Sequence, residues 1–338
     1  MAEPRLHGGP DAFGAPRYDF STNSNACGPC PSALAAVRSA DPTRYPDPNY
    51  QALRAALAGR HGVEPERVLL AASASEFIFR ISALAAQTGW QSSRQYVTYA
   101  VPGHAYGDYT QAAHAWGLQP TFNVSDADLA WACDPSSPMG QPYPGLARQA
   151  GSLRSGQILV LDCAYRPLWL QGQAELDALG LDRVWQLWTP NKALGLTGVR
   201  AAYAIAPLGA QAQTERLQAL APSWPVGAHG VAMLQAWCEI EARNWLNASL
   251  ATLSAWKQRQ LELCEELGWR VWPSVTNFFV ARPDSTHLVH DLRLLRAQGI
   301  KLRDAASFGL PGCVRLGVLA PEAQGALWQA WTSIRSKT

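Results

Sequence analysis

Lys192 is the residue whose type and setting most plainly suggest chemistry. It lies in Thr189-Pro-Asn-Lys-Ala-Leu-Gly-Leu-Thr-Gly-Val-Arg200, a small-residue loop between the apolar runs 184–188 and 201–206. A lysine held between two buried strands is placed for imine chemistry, because desolvation frees its amine as a nucleophile. Arg200 follows in the same loop and can meet an anion such as a phosphate through two parallel hydrogen bonds. An imine-forming lysine beside a phosphate-binding arginine is the pairing that pyridoxal 5′-phosphate (PLP) needs. A lone lysine in a surface turn would carry no such meaning, so the weight falls on its surroundings.

Other residues add to the pair. Asp162 ends the apolar run Ile158-Leu-Val-Leu-Asp162, with Tyr165 shortly after it. A buried aspartate there could hold a protonated pyridine nitrogen, though a helix-capping aspartate reads the same way in isolation. Ala74-Ser75-Glu76 opens a helix directly after a strand, and its free N–H groups make a weak but usable phosphate seat. Cys27-Gly-Pro-Cys30 has redox or half-zinc spacing, but it lies in a Gly/Pro/Asn-rich loop with no second ligand pair. No metal site is expected.

The elements that must position these residues alternate. Helical spacing covers 50–61, 76–86 and 109–116, and strand-like runs cover 68–71, 96–101, 120–124, 158–162, 184–188 and 201–206. This βαβ order predicts a mostly parallel sheet flanked by helices, with functional groups gathered at the strands' carboxyl ends. Past Pro222-Ser-Trp-Pro225 the pattern changes to a long helical stretch over 230–267, then strand 278–282, helix 287–298 and strand 314–318. The expected organisation is an N-terminal arm (1–40), a large α/β domain (41–222) and a smaller C-terminal α+β domain (223–338).

The 338 residues are 48% hydrophobic and 16% charged, with net charge +2, which suits a globular enzyme and argues for neither a nucleic-acid nor a membrane partner. The N-terminus lacks a signal peptide's apolar core, and seven scattered cysteines read as reduced thiols, so a cytoplasmic setting is expected. A dinucleotide-binding reading is set aside because no Gly-X-Gly-X-X-Gly turn follows the first strand.

Taken in order, these segments resemble the fold-type-I PLP enzymes of the class I/II aminotransferase superfamily. The nearest branch contains histidinol-phosphate aminotransferase and L-threonine-O-3-phosphate decarboxylase. The matching segments are His7-Gly-Gly, 19–25, Arg44-Tyr-Pro-Asp-Pro48, Ala105-Tyr-Gly-Asp-Tyr109, Asp162-Cys-Ala-Tyr165, 191–200, Asn277-Phe-Phe, and 299–315. The resemblance implies a large domain with a seven-stranded-type sheet and PLP as cofactor. It implies that Lys192 carries the cofactor as an imine and shuttles the substrate proton. Asp162 would bind the ring nitrogen, Tyr165 the ring hydroxyl, and Tyr106 would stack on the ring. Arg200, Ala74 and Ser75 would hold the phosphate, joined by Tyr45 from the other subunit of a homodimer. Arg315 would clamp the substrate carboxylate, with Asn23 and Arg303 nearby.

Three departures from the family pattern stand out. Ser137, in Asp134-Pro-Ser-Ser-Pro-Met-Gly140, replaces the asparagine that bonds the ring hydroxyl. Ala71-Ala-Ser-Ala74 replaces a Gly-Asn-Gly-Ser stretch, and Asn191 replaces the serine before the lysine, with Thr189 available to compensate. The N-terminal segments look more like the threonine-phosphate decarboxylase of cobalamin side-chain synthesis. An aminotransferase of the histidinol-phosphate type or of another amino acid is the alternative, and a non-catalytic PLP-fold binding protein the second.

Overall fold

In the computed structural model, residues 8–91 and 95–336 are described. His7 lies outside them. In chain order come β1 (Tyr18–Asp19), α1 (Pro31–Ser39), α2 (Gln51–His61), β2 (Val68–Ala71), α3 (Ala74–Gln91), β3 (Thr98–Ala100), α4 (Gly107–Ala115) and β4 (Gln119–Pro120). Then follow β5 (Leu129–Cys133), α5 (Leu146–Gly151), β6 (Ile158–Asp162), α6 (Ala178–Leu181), β7 (Trp185–Trp188), β8 (Ala202–Ile205) and α7 (Gln211–Ala219). The C-terminal part holds α8 (Ala228–Cys238), α9 (Ile240–Glu266), β9 (Arg270–Val271), β10 (Phe278–Arg282), α10 (Leu288–Ala297), β11 (Ile300–Lys301), β12 (Arg303–Asp304), β13 (Val314–Gly317) and α11 (Pro321–Arg335).

Seven strands form one sheet in the order β2-β8-β7-β6-β5-β3-β4. The pairs from β7 through to β4 are parallel, whereas β8 runs antiparallel to both β7 and β2. The central strands are buried along their whole length, which is why 129–133 and 158–162 read as continuous apolar runs rather than alternating ones. Helices cover both faces, and the chain reverses so that the carboxyl ends of β5, β6 and β7 open on one side. A second sheet, β12-β13-β10-β9, is antiparallel.

Three expectations need correction. The strand expected over 120–124 stops at Pro120, because Asn123 Oδ1 accepts from Ser125 N (3.2 Å) and turns 124–126 into a 3₁₀ turn. The long helix of 230–267 is two helices, since Glu239 is extended (φ −76°, ψ 153°) between α8 and α9. Strand β5 was not anticipated at all; Leu-Ala-Trp-Ala-Cys has too little β-branched content to stand out.

The N-terminal segment ties the two sheets' surroundings together. Its β1 pairs in parallel with β11, and Gly317 N donates to Phe20 O (2.7 Å). Further on, Asn25 N and Cys30 N donate to the carbonyls of Lys192 (2.9 Å) and Leu194 (2.8 Å). Gly195 makes this approach feasible: at φ 69° it suits glycine, and a Cβ there would lie 2.6 Å from Gly28 O. The Cys27–Cys30 stretch is therefore packing against the lysine loop, and all seven cysteines are free thiols. Behind the site, Lys257 of α9 is only 3% exposed, and its Nζ donates to Ser274 O.

Candidate active site

A cavity of about 650 Å³ lies at the carboxyl ends of β5, β6 and β7. One end of it is a ready anion seat. Ser73 caps α3, its Oγ accepting from Glu76 N (3.1 Å), while Glu76 takes Ala72 N (3.2 Å) and Arg80 (3.0 Å). The amides of Ala74 and Ser75 are first-turn N–H groups with no helical acceptor, so they face the cavity as donors. Across from them, Thr189 Oγ1 is buried with no hydrogen-bond partner among the described residues and can donate to an anion, whereas Asn191 Oδ1, also without one, only accepts. The Arg200 guanidinium at the cavity wall likewise has none there. The buried Thr189 and Asn191 oxygens left open in this way call for a ligand, whereas Arg200 is exposed at the rim.

The opposite end holds Asp162. Burial pushes its carboxyl pKa up, opposed by a hydrogen bond from Tyr109 OH (2.6 Å), the nearby Lys192 charge and a bond from Ala164 N (2.9 Å). A desolvated carboxylate of this kind favours a cationic hydrogen-bond partner. Between the two ends, Lys192 Nζ lies 5.1 Å from the centre of the Tyr165 ring. The Tyr165 hydroxyl accepts from Asn23 Nδ2 (3.3 Å), and Asn23 Oδ1 is buried and unpartnered among the described residues. Tyr106 caps α4, touches Ser75 Oγ through its hydroxyl (3.3 Å) and is held protonated by burial.

The third wall is cationic. Arg303 and Arg315 face each other across the β12–β13 pair, at 6% and 7% exposure. Arg303 donates to Asp304 O (2.6 Å) and Ser307 Oγ (2.7 Å). Arg315 donates to Ser21 O (3.0 Å) and Ser137 Oγ (3.4 Å), while its Nε has no partner among the described residues. Both guanidinium groups lie over Phe308 (4.8 and 5.4 Å). Burial lowers both pKa values, and the neighbouring Arg315 charge lowers that of Arg303 further. Two buried like charges facing one cavity favour an anion between them.

Of the residues singled out in the sequence, Asn23, Ala74, Ser75, Tyr106, Ser137, Asp162, Tyr165, Thr189, Asn191, Lys192, Arg200, Arg303 and Arg315 all line this one cavity. Tyr45 does not. It is 78% exposed and stacks on Trp224 (4.4 Å, 24°) on the outside of the chain. Sequence reasoning passed over Ser73, Tyr109, Ser307 and Phe308. The Ser73-X-X-Glu76 capping pattern and the helical spacing of Tyr106 and Tyr109 were the available signals.

The family model for aminotransferase class I and II matches residues 131–326. The chain belongs to this aminotransferase family. Among curated relatives, a histidinol-phosphate aminotransferase from Jannaschia sp. (strain CCS1) is 27% identical, covering 93% of this chain and 90% of the relative. One from Rhodospirillum centenum is 28% identical, covering 89% and 87%. Among solved structures, the Sinorhizobium meliloti histidinol-phosphate aminotransferase in complex with PLP superposes with TM-score 0.79 at 22% identity, covering 94% and 90%. The L-threonine-O-3-phosphate decarboxylase from Porphyromonas gingivalis gives 0.77 at 19%, covering 94% and 99%. These superpositions establish the fold of this chain.

It is a PLP-dependent, aminotransferase-like enzyme. The residues present fit the cofactor: open donors and an unpaired arginine at one end suit a phosphate, and the buried carboxylate at the other suits a ring nitrogen. Ser137 Oγ, at the position of the departure, accepts from Arg315 (3.4 Å). Among the described residues no cluster of three or more His, Cys, Asp or Glu could hold a metal, and no helix is long and apolar enough to cross a membrane.

Proposed function

We propose that this enzyme transfers the amino group of a small substrate bearing an anionic group, of the histidinol-phosphate type. The observation that carries the reading is the buried Arg303–Arg315 pair sharing a cavity with Lys192. The curated relatives' names support it. The decarboxylase reading leaned on His7-Gly-Gly and on Phe20–Asn25; His7 is outside the described residues, and the decarboxylase superposition speaks for fold alone. That reading is kept as the competing outcome of the test.

PLP, when bound, supplies the carbonyl carbon that takes up the amine and the ring that delocalises the electron pair released at the substrate carbon. Lys192 Nζ would be the group that takes up the proton from the substrate carbon. Asp162 would accept the hydrogen bond of the ring nitrogen, its charged form favoured by the Tyr109 hydroxyl and the Lys192 charge against the burial that opposes it. Tyr165 would bond the ring hydroxyl, Tyr106 would cover a ring face, and Ala74, Ser75, Thr189, Asn191 and Arg200 would surround the phosphate. Arg315 and Arg303 would anchor the substrate's anionic group so that the proton on its amine-bearing carbon faces Lys192 Nζ. Tyr45, exposed on its stack with Trp224, is free to reach the phosphate seat of a second copy, and in this reading the active form would be a homodimer.

The test mixes PLP-loaded enzyme with L-histidinol phosphate and no keto acid, following the cofactor spectrum and carbon dioxide together. The expected result is one turnover to the amine form of the cofactor, reversed by 2-oxoglutarate. Repeated carbon dioxide release from L-threonine-O-3-phosphate, with no reaction of histidinol phosphate, would replace this reading with the decarboxylase one. Inertness toward both with PLP bound would point to another amino-acid substrate for the same site.

A further inference from the structure

We infer that Tyr109 is a positioning residue that keeps Asp162 ionised for the cofactor ring. The inference rests on the proposed role of Asp162. Both side chains are almost wholly inaccessible, Tyr109 at 0% and Asp162 at 5% exposure. The 2.6 Å bond between Tyr109 OH and Asp162 Oδ2 links α4 to the end of β6. Its direction is fixed by chemistry. Burial, reinforced by the Asp162 charge, pushes the Tyr109 pKa far up, so the phenol keeps its proton and must donate. The carboxylate accepts. The neighbouring Cys133 thiol, which donates to Pro135 O (3.2 Å), is also held neutral by burial and brings no competing charge.

The geometry that holds Tyr109 is equally specific. Its ring stacks on Trp131 of β5 (centroids 4.3 Å, 8°) and meets Tyr106 edge-on (5.8 Å, 85°). A ring pinned on two sides leaves its hydroxyl little freedom, so the bond to Asp162 is pre-formed rather than recruited. One side chain therefore sets the carboxylate's orientation and offsets part of the desolvation that raises its pKa. Tyr109 also braces Tyr106, the ring-covering residue, so position and electrostatics are set by the same helix face.

Tyr109→Phe removes the donor and keeps the stack. A hydrogen bond to a charged group is of a size that should weaken PLP binding about tenfold to a hundredfold near neutral pH. The acid limb of PLP binding should move upward by about one pH unit, the shift equivalent to a tenfold change. In an Asp162→Asn background the same substitution should change binding less than about twofold. A readout without cofactor is the melting temperature of the PLP-free protein. Removing the donor raises the folded-state pKa of Asp162 further, so the penalty is full above that pKa and fades as pH falls through it. The variant should thus lose more at pH 8 than at pH 5. Substituting 3-fluorotyrosine for Tyr109 gives a stronger donor of nearly the same shape and should move the acid limb the other way.

Equal losses in both backgrounds, or at both pH values, would overturn the inference in favour of simple packing. Wild-type binding by Tyr109→Phe across the pH range would overturn it too. Failure of the wild-type protein itself to bind PLP is a separate result, and it would strike the proposed role of Asp162 instead.

Discussion

Replacing Lys257 by methionine should make this protein more stable at pH 7, and by less at pH 10. Lys257 sits on α9, 3% exposed, with the Ser274 carbonyl as its hydrogen-bond acceptor. Burial alone lowers its pKa to about 8 from the ordinary 10.5. Between those values the unfolded chain binds the proton and the folded chain does not, so this lysine's contribution to stability rises with pH. Below pH 8 both states carry the charge, and the fold bears its full desolvation, about 3 kcal/mol from the size of the shift. Methionine fills a similar volume without the charge. It forfeits one hydrogen bond, about 1 kcal/mol, which leaves a net gain of roughly 2 kcal/mol. For a chain of this length that corresponds to about 3 °C in melting temperature. The assay is thermal unfolding of wild type and Lys257→Met in parallel at pH 7 and pH 10. Because both proteins share every other titrating group, their difference isolates Lys257. A variant less stable than wild type at pH 7, or a gain that does not shrink by pH 10, would refute the reasoning.

Lys192→Ala should abolish turnover by at least about 10³-fold, the loss expected when a covalent nucleophile and proton carrier is removed, and cofactor absorbance on mixing with PLP will show whether the seat survives. Arg315→Ala should lower kcat/KM for an anionic substrate by about 100-fold with the PLP spectrum unchanged, and Arg315→Lys should restore only part of it, as steady-state kinetics will show. Mixing and refolding Lys192→Ala with Tyr45→Ala should recover activity, because one site of the mixed dimer has both Lys192 and the partner's Tyr45. No recovery, or full activity in a monomer by sedimentation, defeats the shared-site assignment.

Much of the site could be read locally. Lys192 and Arg200 share one loop, Asp162 and Tyr165 one strand end, and the strand 158–162 lies where its apolar run put it. Arg303 and Arg315 had no local signature; only the resemblance singled them out, and their pairing is a matter of strand register. Tyr109 was legible as part of a helix but not as a partner of Asp162, since the contact spans 53 residues. The break at Glu239 was invisible because no proline or glycine marks it and apolar residues continue at helical spacing on both sides. Ser137 was placed correctly in its loop, yet its contact with Arg315 comes from a strand far along the chain.

The N-terminal strap has a consequence for biosynthesis. Residues 18–25 leave the ribosome early, but their partners at Ile300, Lys301, Arg315 and Gly317 leave it almost last. Asn25 meets the lysine loop at a middle stage, so the strap is completed from its far end backward. Closing so long a loop is slow, and a nascent chain can assemble its large sheet well before the strap can dock. An unfinished or prematurely ended chain would therefore carry a formed Lys192 loop and phosphate seat with no anion clamp. Such a chain could take up PLP without being able to anchor a substrate, so cofactor loading and catalytic competence arise at different moments in the life of one molecule.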